Sequence, residues 1–75
     1  MIEELSSVIL NRDFPEHGLV ADDVGTVVHR YGSGSAFEVE LLRGDGTTIA
    51  VVTAERGDVR PMQGQDVLHV RSLAA

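Results

Sequence analysis

The chain has 75 residues, 43% of them apolar, and its twelve acids against six bases leave a net charge of −6. A chain of this length holds one domain and has no room for a second. It contains no cysteine, which excludes a disulfide framework and a thiolate zinc site, and all six bases are arginine, too few for phosphate-backbone binding to be the leading expectation.

The chain opens Met1-Ile2-Glu3-Glu4-Leu5, with two acids where a secretory leader carries bases. Its longest apolar runs, such as Val8-Ile9-Leu10 and Ile49-Ala50-Val51-Val52, fall far short of the roughly 20 residues a membrane helix needs, so a cytoplasmic protein is expected. From there, Val-rich runs alternate with clusters of Gly, Asp, Asn, Ser and Pro at the spacing of strands and turns. Strands are predicted at residues 7–10, 24–31, 36–42, 47–53 and 59–61.

Between the first two strands, residues 11–23 form a long loop with Pro15 and Gly18, in which Pro15 fixes its own φ, Gly18 takes a positive φ and His17 caps a backbone group. Asp23 is expected to bond the turn that enters the second strand, and Gly25 to mark a bulge or a close backbone approach. Gly32-Ser33-Gly34-Ser35 and Arg43-Gly44-Asp45-Gly46 read as hairpin turns. On the strand between them, Phe37, Val39 and Leu41 alternate with Ala36, Glu38 and Glu40, placing apolar groups inward and two carboxylates outward. The next strand is apolar on both faces at its middle. Its Ile49 and Val51 are expected to join Val27, Phe37, Val39 and Leu41 in the core, with the other face available as an interface.

A 3₁₀ turn is predicted over 54–57, before the short last strand. The tail, residues 62–75, reads as either a strand or a short helix; its Val67, Leu68, Val70 and Leu73 must fold back or cover a second copy, and a homodimer or higher oligomer is expected. The sum is an all-β chain: a small SH3-like barrel of about five strands, one domain over 1–75 with its core in 5–61.

Leu5 through Val8, the loop Asp13-Phe14-Pro15-Glu16-His17-Gly18-Leu19 and the strand start Asp23-Val24-Gly25-Thr26-Val27-Val28 resemble a bacterial family of unknown function, DUF4926. Tyr31, Phe37-Glu38-Val39-Glu40, Gly46, Thr48, Ala50-Val51, Thr53 and Asp58-Val59-Arg60-Pro61 extend the resemblance, which covers residues 5 to 61 and leaves the tail outside. It implies a freestanding SH3-like fold and supplies no catalytic residues.

No catalytic constellation emerges from the residues themselves. Ser6, Ser7, Ser33, Ser35 and Ser72 lack a nucleophile elbow, and a barrel this small has little interior for a substrate. His17, His29 and His69 are not spaced as a close ligand pair, so no metal and no cofactor is expected. Glu38 and Glu40, with α-carbons roughly 6 to 7 Å apart on one strand face, lack the differing environments that acid–base catalysis requires. The expected function is that of a protein-binding module, an inhibitor or accessory subunit of a basic partner, with Asp13, Glu16, His17, Asp22, Asp23, Glu38 and Glu40 as the contact residues. Two other classes remain open. A KOW-like nucleic-acid binder would gather at least four of Arg30, Arg43, Arg56, Arg60 and Arg71 on one face, and a self-assembling structural protein would bury a large apolar self-interface.

Overall fold

A computed structural model describes residues 2–73; of the expected 1–75 domain and 62–75 tail, Met1, Ala74 and Ala75 lie outside the described residues. Five strands, β1 (Ser7–Leu10), β2 (Val24–Tyr31), β3 (Ala36–Leu42), β4 (Thr48–Glu55) and β5 (Val59–Pro61), form one antiparallel sheet in the order β4-β3-β2-β1-β5. The predicted bounds of four strands match, and the remaining strand, β4, starts and ends slightly later than expected. A first strand flanked by the second and the last is the SH3-like arrangement that the sequence suggested.

The sheet curls because β2 serves two neighbours. Its first residues pair with β1 (Ser7↔Thr26, Val8↔Gly25, Ile9↔Val24), and the rest pairs with β3 from Thr26↔Glu40 to Tyr31↔Ala36. Gly25, paired with Val8 of β1, packs closely against β3. A Cβ added there would lie 2.6 Å from Val39 Cγ1, 2.9 Å from Leu41 Cδ1 and 3.0 Å from the Glu40 carbonyl oxygen, closer than real side chains approach. Only a residue without a side chain permits this approach. A bulge between Val27 and His29 adds twist just beyond it.

Inside the curl lie Val8, Leu10, Val27, Phe37, Val39, Leu41, Val52, Ala54 and Val59, joined by Phe14 and Leu19 from the long loop. That loop therefore plugs the barrel as well as linking β1 to β2. Phe14 and Leu19 bridge each other across a 3₁₀ turn, Pro15–His17, which Gly18 closes at φ 72° by donating its N–H to the Pro15 carbonyl at 3.1 Å. Arg12 lies across the outside of Phe14, its guanidinium carbon 3.9 Å from the ring centre.

Three expectations need correcting. Val51 is not in the core: it is 50% exposed, while its neighbour Val52 is only 4% exposed. The cause is a bulge, because Leu41 pairs with Ala50 but Leu42 with Thr48, so one extra residue enters β4 and reverses its alternation. Ile49, at the bulge, is half-buried against the core. The second 3₁₀ turn lies at Arg56–Asp58 and not at 54–57, held by a reciprocal cap in which the Glu55 N–H donates to Asp58 Oδ2 at 3.0 Å.

The tail up to Leu73 is neither strand nor helix. The ladder to β1 ends just past Pro61, where the Met62 N–H donates to the Ser7 carbonyl at 3.2 Å, and the chain turns at 63–66, where Asp66 accepts the Gln63 N–H at 2.6 Å and both Arg60 Nη nitrogens at 3.2 and 3.3 Å. Among the described residues β4 and β5 share no ladder; the Arg56–Asp58 turn joins their ends.

Two stability measurements follow from this packing. Gly25→Ala is expected to lose at least about 2 kcal/mol in urea unfolding, because the new methyl overlaps packed side chains and backbone; a change under about 0.5 kcal/mol would contradict the close approach. Val52→Ala should cost about 2 kcal/mol and Val51→Ala less than about 1 kcal/mol, and the reverse order would restore the register expected from sequence.

Candidate functional site

The expected contact residues fall into two groups that no hydrogen bond or ion pair joins among the described residues. The first lies in the loop between β1 and β2. Asp13 Oδ1 accepts the Ala21 N–H at 2.8 Å, and Asp23 Oδ2 accepts the Val20 N–H at 3.0 Å, so both carboxylates hold the loop's own return path. The Asp23 bond to the turn is the one expected from sequence. Glu16 and His17 are exposed on the 3₁₀ turn, which is closed by backbone donors; among the described residues the His17 imidazole makes no capping bond. Asp22 is exposed in the left-handed region at φ 78°, its N–H given to the Leu10 carbonyl at 2.8 Å.

Asp23 has a second partner that sequence reasoning missed. Arg71, from the tail, forks onto it, with Nε 2.9 Å from Oδ1, while its Nη2 donates to the Gly18 carbonyl at 2.9 Å. Burial raises the Asp23 pKa, but the Arg71 hydrogen bonds, the Val20 amide and the Arg71 charge outweigh it and hold the carboxyl below its ordinary range. The fork straps the tail to the loop, and Leu73 comes down over Gly18, where a Cβ would meet Leu73 Cδ2 at 3.8 Å. The strap leaves a cleft on either side, of about 640 and 490 Å³, and leaves Val67, Leu68 and Val70 exposed. No local signal marks this pairing, because its partners are 48 residues apart.

The second group is the stripe on β3. Glu38 Oε2 accepts the Tyr31 hydroxyl at 2.7 Å from β2 and the Thr53 hydroxyl at 2.8 Å from β4, and Glu40 Oε2 accepts the Thr48 hydroxyl at 2.7 Å. Each carboxylate is thus fixed across the strands while remaining at the surface. The Tyr31 bond, then the Thr53 bond, with a smaller contribution from His29, holds Glu38 below the usual carboxylate range, and the same contact raises Tyr31. His29 meets Tyr31 edge-on at 4.5 Å, and its Nδ1 lies 3.5 Å from Glu4 Oε2. Exposed Val51 completes this outer face. Both carboxylates are acceptors with lone pairs to spare, an arrangement suited to receiving Arg or Lys donors.

Most of the arginines have partners on the chain. Arg12 pairs with Asp58 at 3.0 Å, Arg60 with Asp66 and Arg71 with Asp23, while Arg43 donates to the Thr47 hydroxyl and the Thr48 carbonyl at 3.4 and 3.2 Å. Arg43 and Arg56 flank opposite ends of β4, roughly 25 Å apart at the usual strand rise. Among the described residues no three His, Cys, Asp or Glu side chains gather as a metal site would require, and no helix is long and apolar enough to cross a membrane.

The family described as a domain of unknown function (DUF4926) matches residues 4–61, which take in all five strands and both 3₁₀ turns and stop where the tail begins. No curated protein and no solved structure matches the chain.

The strap carries its own pH dependence. Because Asp23 titrates lower when folded than when unfolded, the fork stabilises the tail above about pH 4 and is lost as the pH falls through the folded value. Carboxyl NMR should show Arg71→Gln raising the Asp23 pKa and speeding amide exchange in residues 66–73; an unchanged Asp23 titration would mean that the tail is not strapped there.

Proposed function

The chain belongs to the DUF4926 family across its whole barrel, and for this member we propose a protein-binding role, as an inhibitor or accessory subunit that engages a basic partner through the outer face of β3. One observation carries the reading. Glu38 is oriented by hydroxyls from both neighbouring strands and Glu40 by one from β4, yet both stay accessible, so a partner's cations meet charges whose side-chain entropy is already reduced. Glu16 and Asp22 form a separate exposed acidic point on the loop, whereas Asp13 and Asp23 are engaged in holding it.

Binding is favoured over catalysis because the barrel interior is filled by the apolar side chains of the core. It is favoured over a KOW-like grip on nucleic acid because carboxylates pair with Arg12, Arg60 and Arg71, and two of the remaining arginines flank opposite ends of β4. Net charge of −6 adds long-range attraction toward a basic surface.

Purification from the native host at low salt, with mass spectrometry of what accompanies the chain, identifies the partner. Its association with the Glu38→Lys/Glu40→Lys variant should be slower by at least about tenfold at low salt, and the wild-type rate should fall as salt rises. An unchanged rate for the variant at low salt would reject the acidic face.

A further inference from the structure

The two outer strands of the sheet are guarded very differently. β5 is three residues long, carries Arg60 and ends in Pro61, features that blunt an edge against pairing. β4 runs for eight residues, Thr48–Glu55, without a charge before Glu55 and without a proline. Its backbone orientation follows from its end. The Arg56 N–H donates to the Ser35 carbonyl at 3.2 Å, toward β3, and groups alternate along an antiparallel strand, so those of Ala54 and Val52 also face β3. The N–H and C=O of Val51, Thr53 and Glu55 therefore face away. At Glu55 the outward N–H is taken by Asp58 Oδ2 at 3.0 Å. Val51 and Thr53 have no β-strand on that side among the described residues.

We propose that this edge pairs with the same edge of a second copy, β4 against β4 in antiparallel register about Val52. That register sets Val51 opposite Thr53 of the partner copy, and the reverse, exchanging about four interchain hydrogen bonds. It also matches charge to charge. Arg43 lies against the Thr48 carbonyl at one end of the strand, and Glu55 stands at the other. An antiparallel two-fold brings the Arg43 of each copy to the Glu55 of the other, twice. An uncharged middle with Arg43 beside one end and Glu55 at the other is self-complementary in this orientation.

The net charge does not forbid the pair. The order β3-β4-β4-β3 separates the two Glu38/Glu40 stripes by about 14 Å, three strand spacings, beyond the roughly 8 Å screening length at physiological salt. Both stripes then lie on one continuous face. The pairing stands on the edge of β4 and not on the acidic-face reading, and each can fail without the other.

Sedimentation and amide hydrogen exchange on the full chain, across micromolar to millimolar concentrations, test it together. The expected result is a dimer whose Val51 and Thr53 amides exchange at least about tenfold more slowly as it forms, since these are the unpaired edge donors. Val51→Pro removes only an outward N–H and Val51→Lys places a charge at the edge. Each should return the chain to a monomer with its circular dichroism unchanged, whereas Val67→Ser/Val70→Ser in the exposed tail should leave the dimer intact. A chain that stays monomeric at millimolar concentration, a dimer that leaves the two amides unprotected, or loss of the dimer through the tail variant alone would each overturn the proposal. So would protection of those amides by an added extended peptide while the chain itself never dimerises.

Discussion

One contact without a side chain sets the shape of this molecule. At Gly25 the second strand, still paired with β1, passes β3 so closely that Val39, Leu41 and the Glu40 carbonyl occupy the space a Cβ would need. Without that approach β2 could not pack against β3 while pairing with β1 on its other side, and a sheet of five short strands would stay too flat to enclose a core. With the approach in place, eleven buried side chains meet in one cluster, and two of them, Phe14 and Leu19, come from a loop folded back to seal the barrel. A domain of 75 residues has little surface to bury per residue, so using a loop as core is how this chain completes its interior.

The curl also sorts the carboxylates. Those near chain reversals are employed locally: Asp13 and Asp23 within the loop, Asp58 in the cap and with Arg12, and Asp66 with Arg60 and the Gln63 amide. Those on β3 point to the convex side, where their hydrogen-bond donors are hydroxyls on β2 and β4 instead of cations. A carboxylate held by neutral donors keeps its full charge to offer, whereas one in an ion pair does not. The same chain thus uses acids both to hold the fold and to present charge, and the nature of the partner distinguishes the two uses.

Much of this is legible in the residues. Alternation places Glu38 and Glu40 outward and Phe37, Val39 and Leu41 inward, and Gly25 announces a close approach, because these depend on local period and on one residue's lack of bulk. Val51 is misplaced by the same reasoning because a bulge is decided by how β4 pairs with β3, which a single strand's pattern does not encode. Phe14 and Leu19 do not stand out as core because polar neighbours and Pro15 and Gly18 give their segment the look of a surface loop. The Arg71–Asp23 fork joins residues 48 apart, and the tail's apolar pattern suggests a strand or a short helix where long-range ion pairing prevails. Local chemistry is visible in the sequence; contacts that exist only after the sheet curls are not.

The claim that partner recognition uses the convex face of β3 is tested most directly by mapping amide shift changes on the labelled chain as its co-purified partner is added. The largest changes are expected on Tyr31, Glu38, Glu40 and Thr53, the residues that build the oriented carboxylates. Changes confined to residues 11–23 and to the tail clefts, with β3 silent, would contradict it.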